Sequence, residues 1–181
     1  MPELLSKKFL IGPELRFKRT INFMKESLPP PANILDLGEE NRLSNILSEV
    51  GYSVQNTTGD LDLYPGVVQK NNIDAVTAFE IIEHLIAPFN VLRTITASRL
   101  FATVPLNLWF SKAHYNKNDP WDRHFHEFED WQFDALLEKA GWKIIRREKW
   151  NNPVIKPGFR PILRLFASHY YAVEAVREKN E

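Results

Sequence analysis

Three short apolar runs, each bounded by turn-forming residues, constrain the fold of this 181-residue chain more than any other feature. They are ANILDLG (32–38), NIDAVTAFE (72–80) and RLFATVP (99–105). Apolar runs of this length without polar alternation are typical of parallel strands that are buried on both faces of a sheet. Amphipathic helical patterns lie between them, at 41–51 and at 81–96, and Pro88 marks a break or a second start within the latter. This alternation predicts an α/β fold, a doubly wound and mostly parallel sheet with helices on both faces.

The C-terminal part of the chain predicts antiparallel strands instead of parallel ones. EDWQFDALLEKAGW (129–142) has the pattern of an amphipathic helix, and KIIRREKW (143–150) and HYYAVEAVRE (169–178) read as two strands. We expect these strands to form an antiparallel pair at the end of the sheet, with a short helix within 151–168.

The chain divides into an N-terminal helical extension, residues 1–31, and a single globular unit, residues 32–181. Within the extension, Gly12 and Pro13 interrupt the helical pattern, so we expect a short helix followed by a longer one.

Composition excludes several classes of function. The formal net charge is zero, so a broad attraction to nucleic acid is not indicated, although contact with a nucleotide terminus stays open. Cysteine is absent, which excludes disulfides, zinc–thiolate sites and cysteine nucleophiles. No apolar run is long enough to span a bilayer, and the N-terminus does not resemble a secretory signal. We therefore expect a cytoplasmic protein without a membrane partner.

Polar residues follow each predicted strand. In doubly wound sheets ligands bind beyond the carboxyl ends of the strands. Residues 36–40, 58–62, 79–84 and 105–107 follow such ends, so we expect them to converge on one ligand-binding edge.

The stretch FEIIEHL (79–85) places two carboxylates and an imidazole close together. Glu80, Glu83 and His84 are spaced i, i+3 and i+4, so on a helix they share one face. Oxygen and imidazole ligands suit Mg²⁺, Mn²⁺ or Zn²⁺. Two adjacent carboxylates without a cation would repel and raise one pKa, which favours a metal, an arginine or a cationic substrate nearby. A cofactor contact without metal and a purely structural role are the alternatives.

Four segments in this order resemble the class I S-adenosylmethionine-dependent methyltransferases: ILDLGEENRLS, IDAVTAFEIIEHL, RLFATVP and FHEFEDWQFDALLEKAGW. The resemblance runs from Ala32 to the C-terminus. It implies a Rossmann-like methyltransferase fold with seven strands, the last antiparallel, or six strands if the short stretch between Gly38 and Ile73 has lost one. It also implies S-adenosylmethionine as cofactor, with contacts from Asp36, Gly38, Glu39, Asp60, Asp62 and Glu80.

The chain departs from that family at two places. The turn after the first strand reads Gly38-Glu39-Glu40-Asn41, where the family has further glycines. This turn leaves less room for the cofactor, and it keeps open a degenerate methyltransferase fold that binds a ligand without catalysis. The family often has an acidic residue directly after the second strand that hydrogen-bonds both ribose hydroxyls of the cofactor. In this chain the acids, Asp60 and Asp62, come slightly later in the sequence. Either could bind the ribose, and a solvated Asx turn is the alternative. A nicotinamide enzyme is disfavoured because Gly-x-Gly-x-x-Gly is missing.

Two methyltransferase groups are similar at FEIIEHL. The small-RNA 2′-O-methyltransferases and the ubiquinone-pathway O-methyltransferases carry Glu-x-x-Glu-His there, and the small-RNA group adds a histidine in a His-x-Phe-Glu context. HEFE (126–129) matches it, with His124 as a near alternative. The resemblance implies a divalent metal, Mg²⁺ or another ion, held by Glu80, Glu83, His84 and His126. His84 or His126 could instead act as catalytic base.

These similarities imply O-methylation, and the zero net charge favours a small-molecule or glycan-like acceptor over a large RNA. The aromatic segment at 106–126 would cover the site as a lid or acceptor pocket. Trp109, Tyr115 and Trp121 could stack on a ring or sugar, and Lys112 and Arg123 could meet a phosphate or carboxylate. Inward packing of the aromatics is the alternative.

Overall fold

The computed structural model describes residues 13–151 and 168–178. Its helices are α1 (Pro13–Ser27), α2 (Arg42–Glu49), α3 (Pro88–Thr94) and α4 (Asp130–Lys139). Its strands are β1 (Asn33–Asp36), β2 (Ser53–Asn56), β3 (Ala75–Phe79), β4 (Arg99–Pro105), β5 (Trp142–Trp150) and β6 (Tyr170–Arg177). Two 3-10 turns, Pro65–Val68 and Ile82–His84, follow β2 and β3.

The strands form one six-stranded sheet in the order β2-β1-β3-β4-β6-β5. The first four strands are parallel to their neighbours, whereas β6 is antiparallel to both β4 and β5. The shortened, six-stranded form of the predicted fold is therefore confirmed for the described residues, as is the antiparallel closing pair. β2 forms one edge of this sheet.

Helices cover both faces of the sheet, which confirms the doubly wound arrangement. On one face α3 and α4 bury Val91, Leu92, Phe133 and Leu137 in the larger core cluster. On the other face α1 and α2 form a second cluster, contributing Ile21, Phe23, Met24, Leu43 and Leu47. The described part of the N-terminal extension is thus one layer of the same folded body.

The helix at 41–51 forms where its end signals predict it. The Asn41 side chain accepts hydrogen bonds from the N–H groups of Leu43 and Ser44, and Ser44 bonds back to the Asn41 N–H. Such a capping box satisfies N–H groups that the first helical turn leaves unpaired. Gly51 follows the helix with a φ of 105°, a conformation that glycine adopts without strain.

The predicted helix at 81–96 divides at Pro88, where the sequence indicated a break or a second start, and its first part is only a short turn. A 3-10 turn ends at His84, and α3 begins separately at Pro88. Pro88 has no N–H to continue a helix. The N–H groups of Ile86 and Ala87 donate instead to the Asp62 carboxylate, at 2.8 and 2.7 Å.

The predicted helices at the extreme N-terminus and within 151–168 fall outside the described residues. Among the helices that the structure describes, none has the length and apolar character needed to cross a bilayer.

Candidate functional site

The direction in which successive strands are added to the sheet reverses between β1 and β3. After β1 the chain builds β2 on one side, and it then crosses to β3 on the other side. A crevice opens at such a switch point, beyond the carboxyl ends of the strands. Thr77 Oγ1 donates to Asp36 Oδ1 at 2.5 Å, and the Gly38 N–H donates to Thr57 Oγ1 at 2.7 Å. These bonds join the ends of β1, β2 and β3 at the predicted edge.

Asp36 lies buried at the base of this crevice. Its carboxylate accepts hydrogen bonds from Thr77 and, at 3.3 Å, from Asn56 Nδ2. Burial raises the pKa of Asp36 to about 6, and the hydrogen bonds oppose this rise.

Gly38 makes the turn after β1 close to the side chain of Ile81, which follows β3. Its φ is 97°, and an added Cβ would lie 2.8 Å from Ile81 Cδ1. Glu39 reaches across the turn, and its Oε1 accepts a hydrogen bond from the Gly59 N–H at 3.0 Å. The turn is thereby tied to the loop after β2 even though only its first position is glycine.

A cavity of about 610 Å³ lies beside this turn. Its walls include Gly38, Glu39, Asp60, Ile81, Leu85 and Trp121. A cavity of this size falls in the range of small-molecule and cofactor sites. We call it the first cavity.

The two aspartates after β2 border the first cavity with their carboxylates partly engaged. Asp60 Oδ1 accepts from the N–H groups of Asp62 and Leu63, which is an Asx turn. Both oxygens of Asp62 accept from the backbone before α3. Asp60 Oδ2 is therefore the less committed of the two positions for a ribose hydroxyl.

A second cavity of about 430 Å³ adjoins the first, and Glu80 and His84 line both. Arg16, Glu83, Lys112 and His124 are among the other residues that line the second cavity. Glu80 lies at the end of β3 with a φ of 54°, so it does not belong to a helix. Glu80, Glu83 and His84 nevertheless face one cavity, although the helical reasoning that grouped them is wrong.

Arg16 supplies the cation that two neighbouring carboxylates require. Its guanidinium donates to Glu80 Oε2 at 3.1 Å and lies 5.6 Å from the centre of the Tyr170 ring. Burial raises the pKa of Glu80, and Arg16 opposes that rise. Sequence reasoning did not single out Arg16; the only signal was the expectation that some cation accompanies the pair.

Glu83 is the most deeply buried acid of the site, with a side chain 1% exposed. Its pKa is raised well above the usual range, first by burial and then by the Glu80 carboxylate. Among the described residues no donor reaches Glu83 Oε2. A buried carboxylate oxygen without a donor is a candidate ligand for a cation.

Two imidazoles complete a cluster with Glu83. One ligand atom from each of Glu83, His84 and His124 can be chosen so that all lie within 4.8 Å of one another. His84 Nδ1 lies 3.1 Å from the Arg123 carbonyl, and His124 Nδ1 lies 2.9 Å from Glu127 Oε1. With protons on those nitrogens, both Nε2 atoms keep a lone pair for an ion. Burial and the nearby His124 lower the pKa of His84, which favours the neutral form that ligates metals.

His126, the histidine predicted from the HEFE motif, lies apart from this cluster. Its Nε2 is 3.3 Å from the Ile86 carbonyl, and its ring stacks on Phe128. Its backbone N–H, together with that of Phe125, donates to the Glu83 carbonyl. The structure thus brings Glu83 and His84 together with His124 and holds His126 beside them through the backbone.

The aromatic segment after β4 is largely solvent-facing. Trp109, Tyr115 and Trp121 are all exposed, so inward packing does not account for them. The Arg123 guanidinium lies 4.7 Å from the Tyr115 ring centre, and Lys112 borders the second cavity. Only Trp121 of the three aromatics lines the first cavity.

Comparison with known proteins identifies the fold. No family model matches the sequence, and no curated protein matches it significantly. A chain of the Haloferax volcanii complex between the Trm112 methyltransferase activator and a methyltransferase is 12% identical, with a TM-score of 0.65 over 93% of this chain and 92% of that one. A SAM-dependent methyltransferase from Archaeoglobus fulgidus is 16% identical, with a TM-score of 0.58 over 90% and 92%.

The small RNA methyltransferase HEN1 is also similar, at 13% identity and a TM-score of 0.56. That match covers 99% of this chain and 27% of the HEN1 chain. The protein therefore has the Rossmann-like fold of the class I S-adenosylmethionine-dependent methyltransferases.

Proposed function

We propose that the protein is an S-adenosylmethionine-dependent O-methyltransferase that uses a divalent metal to hold a hydroxyl group of a small polar acceptor. One observation carries the proposal. The Glu83, His84 and His124 cluster lies where a cavity suited to the cofactor adjoins a second, polar cavity. Methyl transfer needs its two reactants to meet at such a junction.

The first cavity fits S-adenosylmethionine in size and in lining. The Gly38 turn and Asp60 line it, and Asp36 lies buried at the end of β1, two residues before Gly38. A cofactor with a cationic amino group would favour the charged form of an acid held near pKa 6. We assign cofactor contacts to Asp36, Gly38, Glu39 and Asp60, and only a structural role to Asp62.

The residues present fit a divalent ion. A buried carboxylate oxygen without a donor and two imidazoles form a mixed oxygen and nitrogen set that suits Mn²⁺ or Zn²⁺, and Mg²⁺ with added waters. We propose Glu83, His84 and His124 as protein ligands. Glu80, already paired with Arg16, would lie at the boundary between ion and cofactor.

Each bound group has a defined chemical contribution. S-adenosylmethionine supplies a methyl group on a sulfonium, and the metal acts as a Lewis acid that eases loss of the acceptor's hydroxyl proton. The chain's own residues orient and enclose the reactants. Arg123 and Glu127 fix the two imidazoles, while Arg16 holds Glu80 in place. His84, with its Nδ1–H on the Arg123 carbonyl and its Nε2 assigned to the ion, would position the ion, and the acceptor's hydroxyl proton would pass to solvent.

The second cavity favours a small hydroxylated acceptor. Ser111, Lys112 and His114 add polar groups to its lining, which suits a sugar-like molecule or another polyol. The zero net charge of the chain disfavours a long nucleic acid. The terminus of an RNA also presents neighbouring hydroxyls, so it belongs in the test as a competing substrate.

A second candidate function is cofactor-like ligand binding without catalysis. The observation that favours it is the turn with one glycine, where Glu39 is held against Gly59. Incubation with labelled S-adenosylmethionine, Mn²⁺ and either polyols or short RNAs separates the candidates. Labelled product from a polyol supports the proposal, and labelled RNA would redirect it to nucleic acid. Binding of S-adenosylhomocysteine without turnover would favour the binding protein.

The metal proposal makes a direct prediction. We expect Glu83→Ala and His124→Ala each to weaken Mn²⁺ binding by about tenfold or more, because even partners that only orient a ligand contribute ~10–100-fold to metal affinity. Isothermal titration calorimetry on the full chain measures this without reference to activity. His126→Ala is the matched comparison, since it removes an imidazole two residues away and leaves the cluster intact. Weak binding by His126→Ala alone would identify His126 as the ligand.

A further inference from the structure

Trp121 presents a large apolar side chain to solvent at the mouth of the first cavity. Its exposed fraction is 70%, whereas Trp142 and Trp150 are buried, with exposed fractions of 0% and 3%. A tryptophan in this position leaves apolar surface in water that a flat ligand could cover. We propose that the Trp121 indole stacks on the purine ring of the bound cofactor and closes the first cavity. This inference rests on the proposed cofactor and adds a residue specific to this chain.

The cavity offers a planar ring an apolar slot. Trp121 is one wall, and Leu61, Ile81 and Leu85 are other apolar residues that line the same space. Phe79 is the other aromatic residue of this lining, and it is partly buried against the core beneath α1 and α2. Trp121 is therefore the aromatic side chain that is free to cover a heterocycle.

Trp121 is held in place by its own loop. The backbone N–H of Trp121 donates to Asp119 Oδ1 at 2.9 Å. The carboxylate of the next residue, Asp122, accepts from Asn116 Nδ2 at 2.9 Å. Arg123 Nε donates to the Asn116 carbonyl, so both sides of the loop are fastened. A side chain on a fastened loop loses less entropy on binding than one on a loose loop.

The same loop also reaches the proposed metal cluster. Arg123, two residues after Trp121, offers its carbonyl to His84 Nδ1 at 3.1 Å. The indole that covers the first cavity and the carbonyl that fixes His84 thus belong to one short segment. Stacking at Trp121 would hold the acceptor side and the cofactor side in one geometry.

The test compares three variants of the full chain by calorimetric titration with S-adenosylhomocysteine. We expect Trp121→Ala to weaken binding by about tenfold, in the range found when a base-stacking aromatic is removed. Trp121→Phe should bind within about threefold of the wild type, because a phenyl ring still stacks. Trp109→Ala is the matched control: it lies on the same segment, is 80% exposed and does not line either cavity. We expect it to bind like the wild type.

Fluorescence adds a readout that general destabilisation would not reproduce. Bound S-adenosylhomocysteine should change the tryptophan emission of the wild type and of Trp109→Phe, and this change should be lost in Trp121→Phe. Equal affinity of wild type and Trp121→Ala would overturn the inference and leave the proposed function intact. Equal weakening by Trp109→Ala would overturn it as well. Failure of the wild type to bind S-adenosylhomocysteine would overturn both.

Discussion

Asp36 couples the candidate cofactor site to pH. Its pKa is raised from 3.8 to about 6 by burial, so the folded protein binds this proton more tightly than the unfolded chain does. The stabilising contribution is then fully present below about pH 4 and is lost as the pH rises through about 6. The loss is at most about 3 kcal/mol, since one pKa unit corresponds to about 1.4 kcal/mol.

We therefore predict that wild type loses stability relative to Asp36→Asn as the pH rises from 4 to 7. Asparagine does not titrate, so the variant serves as the reference for every other ionisable group. Denaturant unfolding at several pH values measures the difference, which we expect to fall by about 1–3 kcal/mol across this range. A constant difference from pH 4 to 7 would show that Asp36 keeps an ordinary pKa.

Single residues also mark where sequence reasoning reached its limit. Asp36 and Gly38 were predicted to follow the first strand because strand ends and turn glycines have recognisable neighbours in sequence, and the structure places Asp36 at the end of β1 and Gly38 in the turn after it. Local sequence signals could not decide whether His124 or His126 lies next to Glu83. Both lie in one irregular segment, and the backbone turn at Phe125 decides which imidazole faces Glu83.

At the scale of elements, local signals predicted most helices and strands. α2 and α4 carry capping residues, and β3 and β4 are continuous apolar runs, so their own sequences suffice. The stretch at 81–96 has the apolar period of a helix, and Pro88 marks the break in it locally, but the contact that holds the backbone of 86–87 comes from a distant side chain. Asp62 binds the backbone before Pro88, and such a contact is invisible to a local pattern.

Helix α1 contributes to the site through Arg16. Removing this guanidinium leaves the Glu80 carboxylate without its cation in a mostly buried position, with a side chain 16% exposed. We predict that Arg16→Ala lowers the free energy of unfolding by about 1–3 kcal/mol at pH 8, in metal-free buffer. The penalty should shrink at pH 5, because the pKa of Glu80 is raised and a protonated carboxyl needs no cation.

Arg42→Ala is the matched control for that experiment. Arg42 also joins α1 to the rest of the chain by an ion pair, with Glu14, but both side chains are well exposed. Exposed pairs contribute about 0–1 kcal/mol, so we expect a small and nearly pH-independent change. Thermal and denaturant unfolding at pH 5 and pH 8 measure both variants. An Arg16→Ala penalty that is equal at the two pH values would contradict the role assigned to Glu80.

At the scale of the whole molecule, the order of strands and helices determines the fold. The proposed function depends on the place where the first and second cavities adjoin. The apolar runs and their spacing predicted a doubly wound sheet with an antiparallel end, and both core clusters follow from it. The same runs did not reveal how α1 joins the body. Besides the apolar contacts of the second core cluster, that connection uses polar and charged residues from α1, β4, β5 and β6, which no single periodic pattern contains.

Glu174 holds these elements together from the centre of β6. Its side chain is 2% exposed and pairs with Arg146 of β5 at 2.9 Å and with Arg99 of β4 at 3.4 Å. Ser27, at the end of α1, donates to the same carboxylate at 2.8 Å. We predict that Glu174→Gln lowers the free energy of unfolding by about 1–3 kcal/mol, because Arg99 loses its counter-charge and Arg146 keeps only that of the exposed Glu26.

The same exchange at Glu148 is the matched control, since Glu148 lies exposed on β5 and should change stability by no more than about 0.5 kcal/mol. Denaturant unfolding of the two variants gives the comparison, and hydrogen exchange shows where the stability is lost. We expect faster exchange in α1 as well as in β5 and β6, because the carboxylate joins all three. Loss confined to β5 and β6 would mean that α1 is held by its apolar contacts alone.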